Sequence, residues 1–190
     1  MNSRAEVSDL DRSEIARTTF RCELFANVFA GVLQAGFSTF ALLLAIRAYG
    51  ASEFEKAILA GSMSAGLLMA PVGLSLMRAT RYPVNSLACG LMCFSGLCLL
   101  VVFSFNSLVI YVTGLAVAQI ALAQQYTLRI HVHTTNYSAS ERGRRLSWIF
   151  MVAGLSSIAS SYGFGLFLDH RWDDRFWVFA VMAASSIVCG

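Results

Sequence analysis

Short polar breaks divide the chain into five apolar runs of about 20 residues and a shorter sixth run that ends at residue 190. A hydrocarbon core about 30 Å thick is crossed by a helix of about 20 residues, at about 1.5 Å per residue. The pattern therefore predicts an all-α polytopic membrane helix bundle with six transmembrane helices. The predicted spans are residues 25–46, 57–77, 84–105, 108–128, 146–168 and 176–190.

The two ends of the chain differ from the rest. Residues 176–190 would extend only about 22 Å as a helix, so we expect a truncated sixth span and a chain that is a fragment. Residues 1–20 are rich in charge and lack an apolar run, so they are neither a signal peptide nor a span. We interpret them as a solvated, mobile cytoplasmic tail that precedes a membrane bundle over residues 21–190.

The composition excludes an ordinary soluble domain. Hydrophobic residues make up 57% of the chain and charged residues only 13%, with a mean hydropathy of +0.64. So few charges cannot cover a water-exposed surface, and membrane lipid is therefore a predicted partner. The five cysteines lie in or beside apolar runs, where we interpret them as small hydrophobic residues and expect no disulfide or metal site.

The fourteen Lys and Arg residues predict the orientation. With residues 1–20 in the cytoplasm, ten of them lie on the cytoplasmic side and four outside, as the positive-inside rule requires. Both termini are then cytoplasmic. The net charge of +3 is explained by this asymmetry, so we expect no nucleic-acid partner. The four outside residues are Arg47, Lys56, Arg171 and Arg175.

The polar breaks on the predicted cytoplasmic side carry two motifs. Residues 73–83 read GLSLMRATRYP, which resembles the loop motif G-x-x-x-D-[RK]-x-G-[RK]-[RK] of the major facilitator superfamily of transporters. Gly73, Arg78 and Arg81 match this motif. Met77 stands where the family has Asp, and Thr80 replaces its Gly.

The second motif precedes the fifth span. Residues 140–144 read SERGR and are similar to the E-R-G-R elements that open the fifth helix of many family members. Glu141 can pair with Arg142 and Arg144 near the membrane surface, whereas Gly143 permits a turn that a side chain would resist. These residues and those of the first motif are the predicted cytoplasmic gate loops.

The resemblance covers residues 21–190, because GFGLFLD at 163–169 and RFWVF at 175–179 are also similar to family elements. It implies the amino-terminal half of a twelve-helix secondary transporter, built from two inverted three-helix repeats that rock against a missing C-terminal half. Such a protein lies in the bacterial inner (plasma) membrane. It moves a small polar or amphiphilic solute by alternating access, without a cofactor.

Polar side chains form a stripe along the first predicted span and another along the fourth. Buried amides cost several kcal/mol in lipid unless they find partners, so both stripes must face protein or a hydrated cavity. In the family these two helices line the cavity, but amides also bridge neighbouring helices with no ligand, a role favoured for Gln124. The predicted substrate-cavity residues are Asn27, Gln34, Gln119, Tyr126 and Arg129.

The stripes also contain ionisable residues. Glu23 could carry a coupling proton, which makes H+ the candidate coupling ion, although beside Arg21 it could equally be a solvated interfacial charge. Arg129 could likewise only extend to the cytoplasmic surface. His131 and His133 do not share a helical face, so we expect solvated loop histidines and no metal site.

Small residues form further stripes on the second and fifth predicted spans, and Pro71 predicts a kink in the second. Such stripes allow close helix packing, and in the family these helices also slide against the other half. The residues are Ser62, Gly66, Ala70 and Gly73 on one span and Gly154, Ser157, Ser161 and Gly165 on the other.

Two other functions are alternatives for a chain with six spans. A membrane enzyme would need a nucleophile or paired acids beside a base, but the spans contain no G-x-S-x-G, no Asp and no mid-span His, so we expect no enzyme. A non-transporting scaffold or sensor with the same fold stays open, because Met77 and Thr80 depart from the family motif. The substrate is not identified, since amides and a phenol bind many solutes.

Overall fold

In a computed structural model, the chain is described over residues 2–80 and 83–190, apart from the side chains of residues 2–13, 76–78, 80 and 131. Every regular element in these ranges is helical, which confirms the predicted all-α class. The α-helices are α1 (Asn2–Ala35), α2 (Ala41–Tyr49), α3 (Glu53–Leu68), α4 (Ala70–Thr80), α5 (Val84–Ser104), α6 (Leu108–Asn136), α7 (Ala139–His170) and α8 (Trp177–Cys189).

Four helical segments of the described chain are long and apolar enough to cross a membrane. The first, Glu14–Tyr49, contains α2 and most of α1, joined by a π-helical turn at Gly36–Phe40. The others are α5, α6 and α7. The 36 residues of the first segment extend about 54 Å, so its ends project well beyond a hydrocarbon core. The apolar helix α8 has only 13 residues.

The second predicted span is divided into α3 and α4. Pro71 cannot donate a backbone hydrogen bond and its ring crowds the preceding turn, so the helix is interrupted at Met69. The Met69 amide donates to the carbonyls of Ala65 and Gly66, and the Met69 carbonyl accepts from Val72. The kink predicted at Pro71 is therefore found as a break two residues earlier. With 16 and 11 residues, neither piece spans a bilayer alone.

The predicted tail over residues 1–20 is not separated from the first span, because α1 begins at Asn2 and continues without a break to Ala35. Ala16 is buried, and its carbonyl accepts a 2.7 Å hydrogen bond from Arg145 of α7. Thr19 accepts a 3.2 Å bond from Asn136 at the end of α6. The last residues of the predicted tail thus pack on the bundle, whereas a solvated tail was expected.

The helices pair in a regular pattern. α1 packs most extensively along α7 and also contacts α8. α6 packs along both α3 and α5, while α5 packs along α8. The helices α1–α7 and α3–α6 thus form two extensive pairs, and α5 and α8 join them through their contacts with α6 and α1.

The two small-residue stripes have different surroundings. On α3, a Cβ added to Gly66 would lie 2.6 Å from the Ala123 side chain of α6, so this stripe is covered by a neighbouring helix. On α7, added Cβ atoms at Gly154 and Gly165 would meet nothing within 4 Å. Only part of the α7 stripe is used, where Gly31 of α1 approaches the backbone around Ser157.

One end of the bundle, called here the aromatic end, is closed by packed rings around Tyr111 and Phe179. Both side chains are fully buried, and their ring centroids are 5.4 Å apart at 81°. The Tyr111 hydroxyl donates a 2.6 Å hydrogen bond to the Ala41 carbonyl, directly after the π-helical turn. Tyr49 packs on Tyr111 and on Phe176, which joins the segment before α8 to the cluster.

Candidate functional site

A cavity of about 500 Å³, called here the central cavity, lies between α1, α3, α6 and α7. Its wall includes all five predicted substrate-cavity residues, from the first and fourth predicted spans. They are Asn27, Gln34, Gln119, Tyr126 and Arg129. Its volume lies within the range of pockets that hold small organic molecules, about 300–1,000 Å³.

The amides of the central cavity differ in how they are bonded. Asn27 is buried and donates to the Glu23 carbonyl one turn earlier, at 2.8 Å. Gln119 is buried and donates a 3.4 Å bond to the Leu59 carbonyl, so it also bridges α6 and α3. Gln34 is exposed, and its amide has no hydrogen-bond partner in the described part of the chain. Gln34 and the exposed Tyr126 are therefore the neutral groups with most freedom to bind a solute.

Gln124 lies outside the central cavity. Its side-chain nitrogen donates to the Gly66 carbonyl of α3, and its oxygen would be the nearest atom to a Cβ added at Gly73. The bond joins α6 to α3, which confirms the predicted interhelical role of Gln124. Gly73, the first residue of the loop motif, thus makes room for this side chain at the α4–α6 contact.

Arg129 is half-buried and lies where the central cavity meets a second cavity. In the amide orientation that satisfies both groups, the Gln125 oxygen accepts from Nε and, at 3.2 Å, from Nη2 of Arg129. Nη2 also lies 3.5 Å from the Cys189 sulfur. Among the described residues, no carboxylate pairs with this guanidinium. Its hydrogen-bond partners are therefore neutral.

The second cavity, called here the end cavity, has a volume of about 650 Å³ and lies toward the end of the bundle opposite the aromatic end. It shares Met92, Gln125, Arg129 and Cys189 with the central cavity, so the two adjoin. Its wall also includes Arg21 and the polar side chains Thr18, Thr19, Asn85 and Asn136.

Glu23 is buried beside the end cavity and is held by α6 and the segment that follows it. Nε2 of His133 lies 2.6 Å from one carboxylate oxygen, and the Tyr137 hydroxyl donates to the other oxygen at 2.6 Å. Because a carboxylate can only accept, the imidazole nitrogen must carry the hydrogen of its bond. These three residues form the Glu23 cluster. The part of the bundle around it is called here the polar end.

The position of His133 differs from the prediction. It was expected in a solvated loop, but α6 continues to Asn136, and its side chain is only 14% exposed. His131 lies outside the described side chains. The helix extends past residue 128 because residues 129–136 contain neither Pro nor Gly to end it.

Tyr137 is buried between α6 and α7, stacked on the His133 ring at 5.8 Å between centroids. Burial, together with the hydrogen bond to Glu23, raises the pKa of its hydroxyl above the ordinary 10.0. The phenol is therefore a stable donor to the carboxylate. The Arg145 guanidinium lies over two aromatic rings, 5.3 Å from the centroid of Tyr137 and 5.6 Å from that of Phe20.

The second predicted gate motif is helical. α7 begins at Ala139, so residues 140–144 are part of a helix and Gly143 makes no turn, contrary to the prediction. The predicted pairing of Glu141 with arginines is found, but its shortest partner is Arg145 at 2.7 Å, with Arg144 at 3.8 Å. Arg142 donates instead to backbone carbonyls, including that of Tyr137, at 3.4 Å.

The charged part of the first gate motif lies outside the described side chains. Arg78 and Met77 are in α4, of which the backbone alone is described there, and Arg81 falls in the gap after Thr80. The five cysteines are free in the structure.

Sequence reasoning did not identify the partners that complete this site. Gln125, Arg129, His133 and Tyr137 recur at spacings of four, which is the repeat of one helical face. That spacing was the available signal for Gln125 and Tyr137. Their roles depend on contacts with Arg129 and with Glu23 of a distant helix, which periodicity does not reveal.

Comparisons with protein-family models, with curated proteins and with solved structures find no match to this chain.

Proposed function

We propose that this chain is part of a secondary active transporter of the major facilitator type, which moves a small solute across a membrane by alternating access. The observation that carries the proposal is the central cavity, which brings five polar residues from two distant helices together inside an apolar helix bundle. Polar groups at such a depth are expensive in a membrane unless they serve a pathway or find partners. Gln34 and Tyr126 are exposed on the cavity side and could be contacted by a solute.

The pairing of helices supports an arrangement in inverted repeats. If α3 and α4 form one broken span and the shorter α8 is a truncated sixth, the chain has six spans. The exchange of the first three with the last three then relates α1 to α6, α3 to α7 and α5 to α8. Under this exchange the contact α1–α7 becomes α6–α3, α1–α8 becomes α6–α5, and α5–α8 is unchanged. All of these pairs are in contact. Two related three-helix repeats would have this property.

The orientation is part of the proposal. The polar end contains residues 16–23, 133–145 and 189–190, which the charge distribution assigns to the cytoplasmic side, and the aromatic end would face outside. Single cysteines from Ser52→Cys and Ser140→Cys, in a background without the native cysteines, test this with an impermeant thiol reagent on intact cells. We expect labelling at position 52, and at position 140 only after permeabilisation. The reverse would contradict the orientation.

The proposal assigns proton coupling to Glu23, with H+ as the coupling ion. The carboxylate lies beside the end cavity and is bonded to His133, so a proton could move between this pair and water in the cavity. Replacing Glu23 by Gln keeps the size of the side chain but removes its charge. Solute flux that is driven by a proton gradient in the unchanged protein should then become independent of the gradient.

The test is flux in proteoliposomes containing the complete transporter of which this chain is proposed to be a part, measured over a panel of labelled solutes. Gln34→Leu removes a cavity amide that has no partner in the described part of the chain, so it should lower the flux without lowering the amount of folded protein. Thr113→Val is the control, because Thr113 is exposed and bonds only within α6. A solute that binds but is never carried would favour the alternative, a sensor or scaffold, over a transporter.

A further inference from the structure

Among the described residues that line the central cavity, Arg129 alone is charged. Its Nε and Nη2 are engaged by the Gln125 amide and the Cys189 sulfur, whereas its Nη1 has no partner among the described residues. An amide and a thiol satisfy some of its hydrogen-bond donors but leave its charge uncompensated. A positive charge within an apolar bundle is costly without a counter-charge. The charge of Arg129 therefore favours the binding of an anion in the cavity.

Glu23, the carboxylate in the wall of the adjoining end cavity, already has other hydrogen-bond partners. Its two oxygens are bonded to His133 and Tyr137 at 2.6 Å each, and it makes no ion pair with Arg129. The other charged residue in the wall of the end cavity is Arg21, which is positive. An anion that enters through the end cavity therefore passes one carboxylate, whose oxygens each already accept a hydrogen bond, and two guanidinium groups, so positive charges outnumber negative ones along its way.

Besides Arg129 and the neutral polar groups, the wall of the central cavity is apolar. Carboxylate and phosphate oxygens match the planar donor set of a guanidinium, while an uncharged apolar group would have no partner at Arg129. The apolar part of the wall consists of aliphatic and aromatic side chains that suit a hydrophobic body. They include Leu33, Phe37, Met63, Leu67, Leu122 and Phe150.

From these observations we propose that the solute of the central cavity is an amphipathic organic anion, with a carboxylate or phosphate group on Arg129 and an apolar body against α1, α3 and α7. The inference names the substrate class of the site described under the proposed function and rests on that site. It also predicts that the solute of the central cavity is neither a neutral sugar nor an organic cation.

The experiment uses the reactivity of Arg129 with phenylglyoxal, which modifies free guanidinium groups. The full chain in nanodiscs of zwitterionic lipid is treated in the presence of 3-phenylpropanoate, 3-phenylpropanol or 3-phenylpropylammonium, and the adduct at Arg129 is measured by mass spectrometry. These probes share one apolar body and differ in charge. We expect saturable protection by the carboxylate alone, about fivefold at four-fifths occupancy. Arg47, which is exposed near the aromatic end, is the control and should not be protected.

Two results would overturn the inference: equal protection by the alcohol and the carboxylate, or unchanged modification of Arg129 with the carboxylate. A further arm separates a lipid headgroup from a soluble anion. If phosphatidylglycerol in the nanodisc protects Arg129 and 3-phenylpropanoate does not displace it, the charge serves a membrane lipid and the solute proposal is wrong.

Failure of the inference and failure of the proposed function can be distinguished. Protection measures binding by this chain and requires no transport, so a protected Arg129 without flux by the complete protein would leave the anion site intact and refute the transporter. If instead a neutral solute is carried and the carboxylate does not protect Arg129, the transporter stands and the anion site is refuted.

Discussion

The two ends of the bundle are held together by different kinds of contact. At the aromatic end, Tyr111 and Phe179 are fully buried and packed edge to face. At the polar end, Glu23 is held by hydrogen bonds from His133 and Tyr137 beside a cavity of about 650 Å³. The first end depends on close packing, whereas the second depends on directed bonds next to space that water can enter.

This difference shows which end can open at less cost. Hydrogen bonds can be exchanged for bonds to water, so breaking one costs little net free energy when water is at hand. Separated rings lose dispersion contacts that water does not replace. In a transporter of the proposed type, this structure would be open at the polar end and closed at the aromatic end. The following variants test the contrast, from the largest expected effect to the smallest.

Phe179→Ala should have the largest effect, because the side chain is fully buried at the aromatic end. In a bilayer the unfolded reference is also apolar, so the transfer part of the cost is small and the cavity part remains. A cavity of about 100 Å³ at about 24 cal/mol per Å³ lowers the free energy of unfolding by about 2 kcal/mol.

The measurement is reversible unfolding of the full chain in mixed detergent micelles. Phe54→Ala is the matched control, because Phe54 is 75% exposed and its removal leaves no cavity. Equal losses for the two variants would show that the aromatic end is not held by packing.

Glu23→Leu should have an intermediate effect at the polar end. It leaves the donors of His133 and Tyr137 without their acceptor, which costs about 1–3 kcal/mol for buried groups. Because Glu23 lines the end cavity, water can enter beside the substituted side chain, and we expect the lower part of this range, about 1 kcal/mol. The same unfolding measurement applies, with Glu14→Leu as control, because Glu14 is exposed on the same helix. A loss larger than that of Phe179→Ala would reverse the comparison.

Tyr111→Phe removes the hydrogen bond from the Tyr111 hydroxyl to the Ala41 carbonyl at the aromatic end and keeps the ring. Side-chain bonds between membrane helices average about 0.6 kcal/mol, so the free energy of unfolding should fall by about 0.5–1 kcal/mol while the ring packing persists. Tyr162→Phe, at an exposed phenol of α7, is the control. If Tyr111→Phe costs as much as Phe179→Ala, the aromatic end depends on this bond and not on packed rings.

The helices and the polar stripes could be predicted because both follow from local pattern. Apolar length gives the span, and helical periodicity places Asn27 and Gln34 on one face of α1 whatever packs against it. The loop position of His133 was wrong for a related reason. Hydropathy marks where the chain leaves the apolar layer, but the helix itself ends only where the backbone is interrupted, at Tyr137.

Features that depend on distant contacts could not be predicted. The π-helical turn at Gly36–Phe40 has no signal in the local sequence. It is accompanied by two distant contacts. A Cβ at Gly36 would collide with Met182 of α8, and the Tyr111 hydroxyl of α6 donates to the carbonyl of Ala41, which follows the turn. Gly143 was assigned to a turn from its residue type alone. The helical start of α7 overrides that preference, and a Cβ there would meet nothing within 4 Å.

The smallest effect concerns the pH dependence of the polar end. Because burial and the bond to Glu23 raise the pKa of the Tyr137 hydroxyl above 10.0, the folded state keeps the proton that the unfolded chain begins to lose near pH 10. The contribution of this phenol to stability is therefore fully present below its ordinary pKa and is lost as the pH rises toward the raised one. The gap in unfolding free energy between the unchanged protein and Tyr137→Phe should stay constant from about pH 7 to 9 and narrow above about pH 10. A gap that stays constant above about pH 10 would mean that the pKa of the phenol is not raised and that it is not held as a donor to Glu23. The polar end would then lack the directed bond that distinguishes it from the aromatic end.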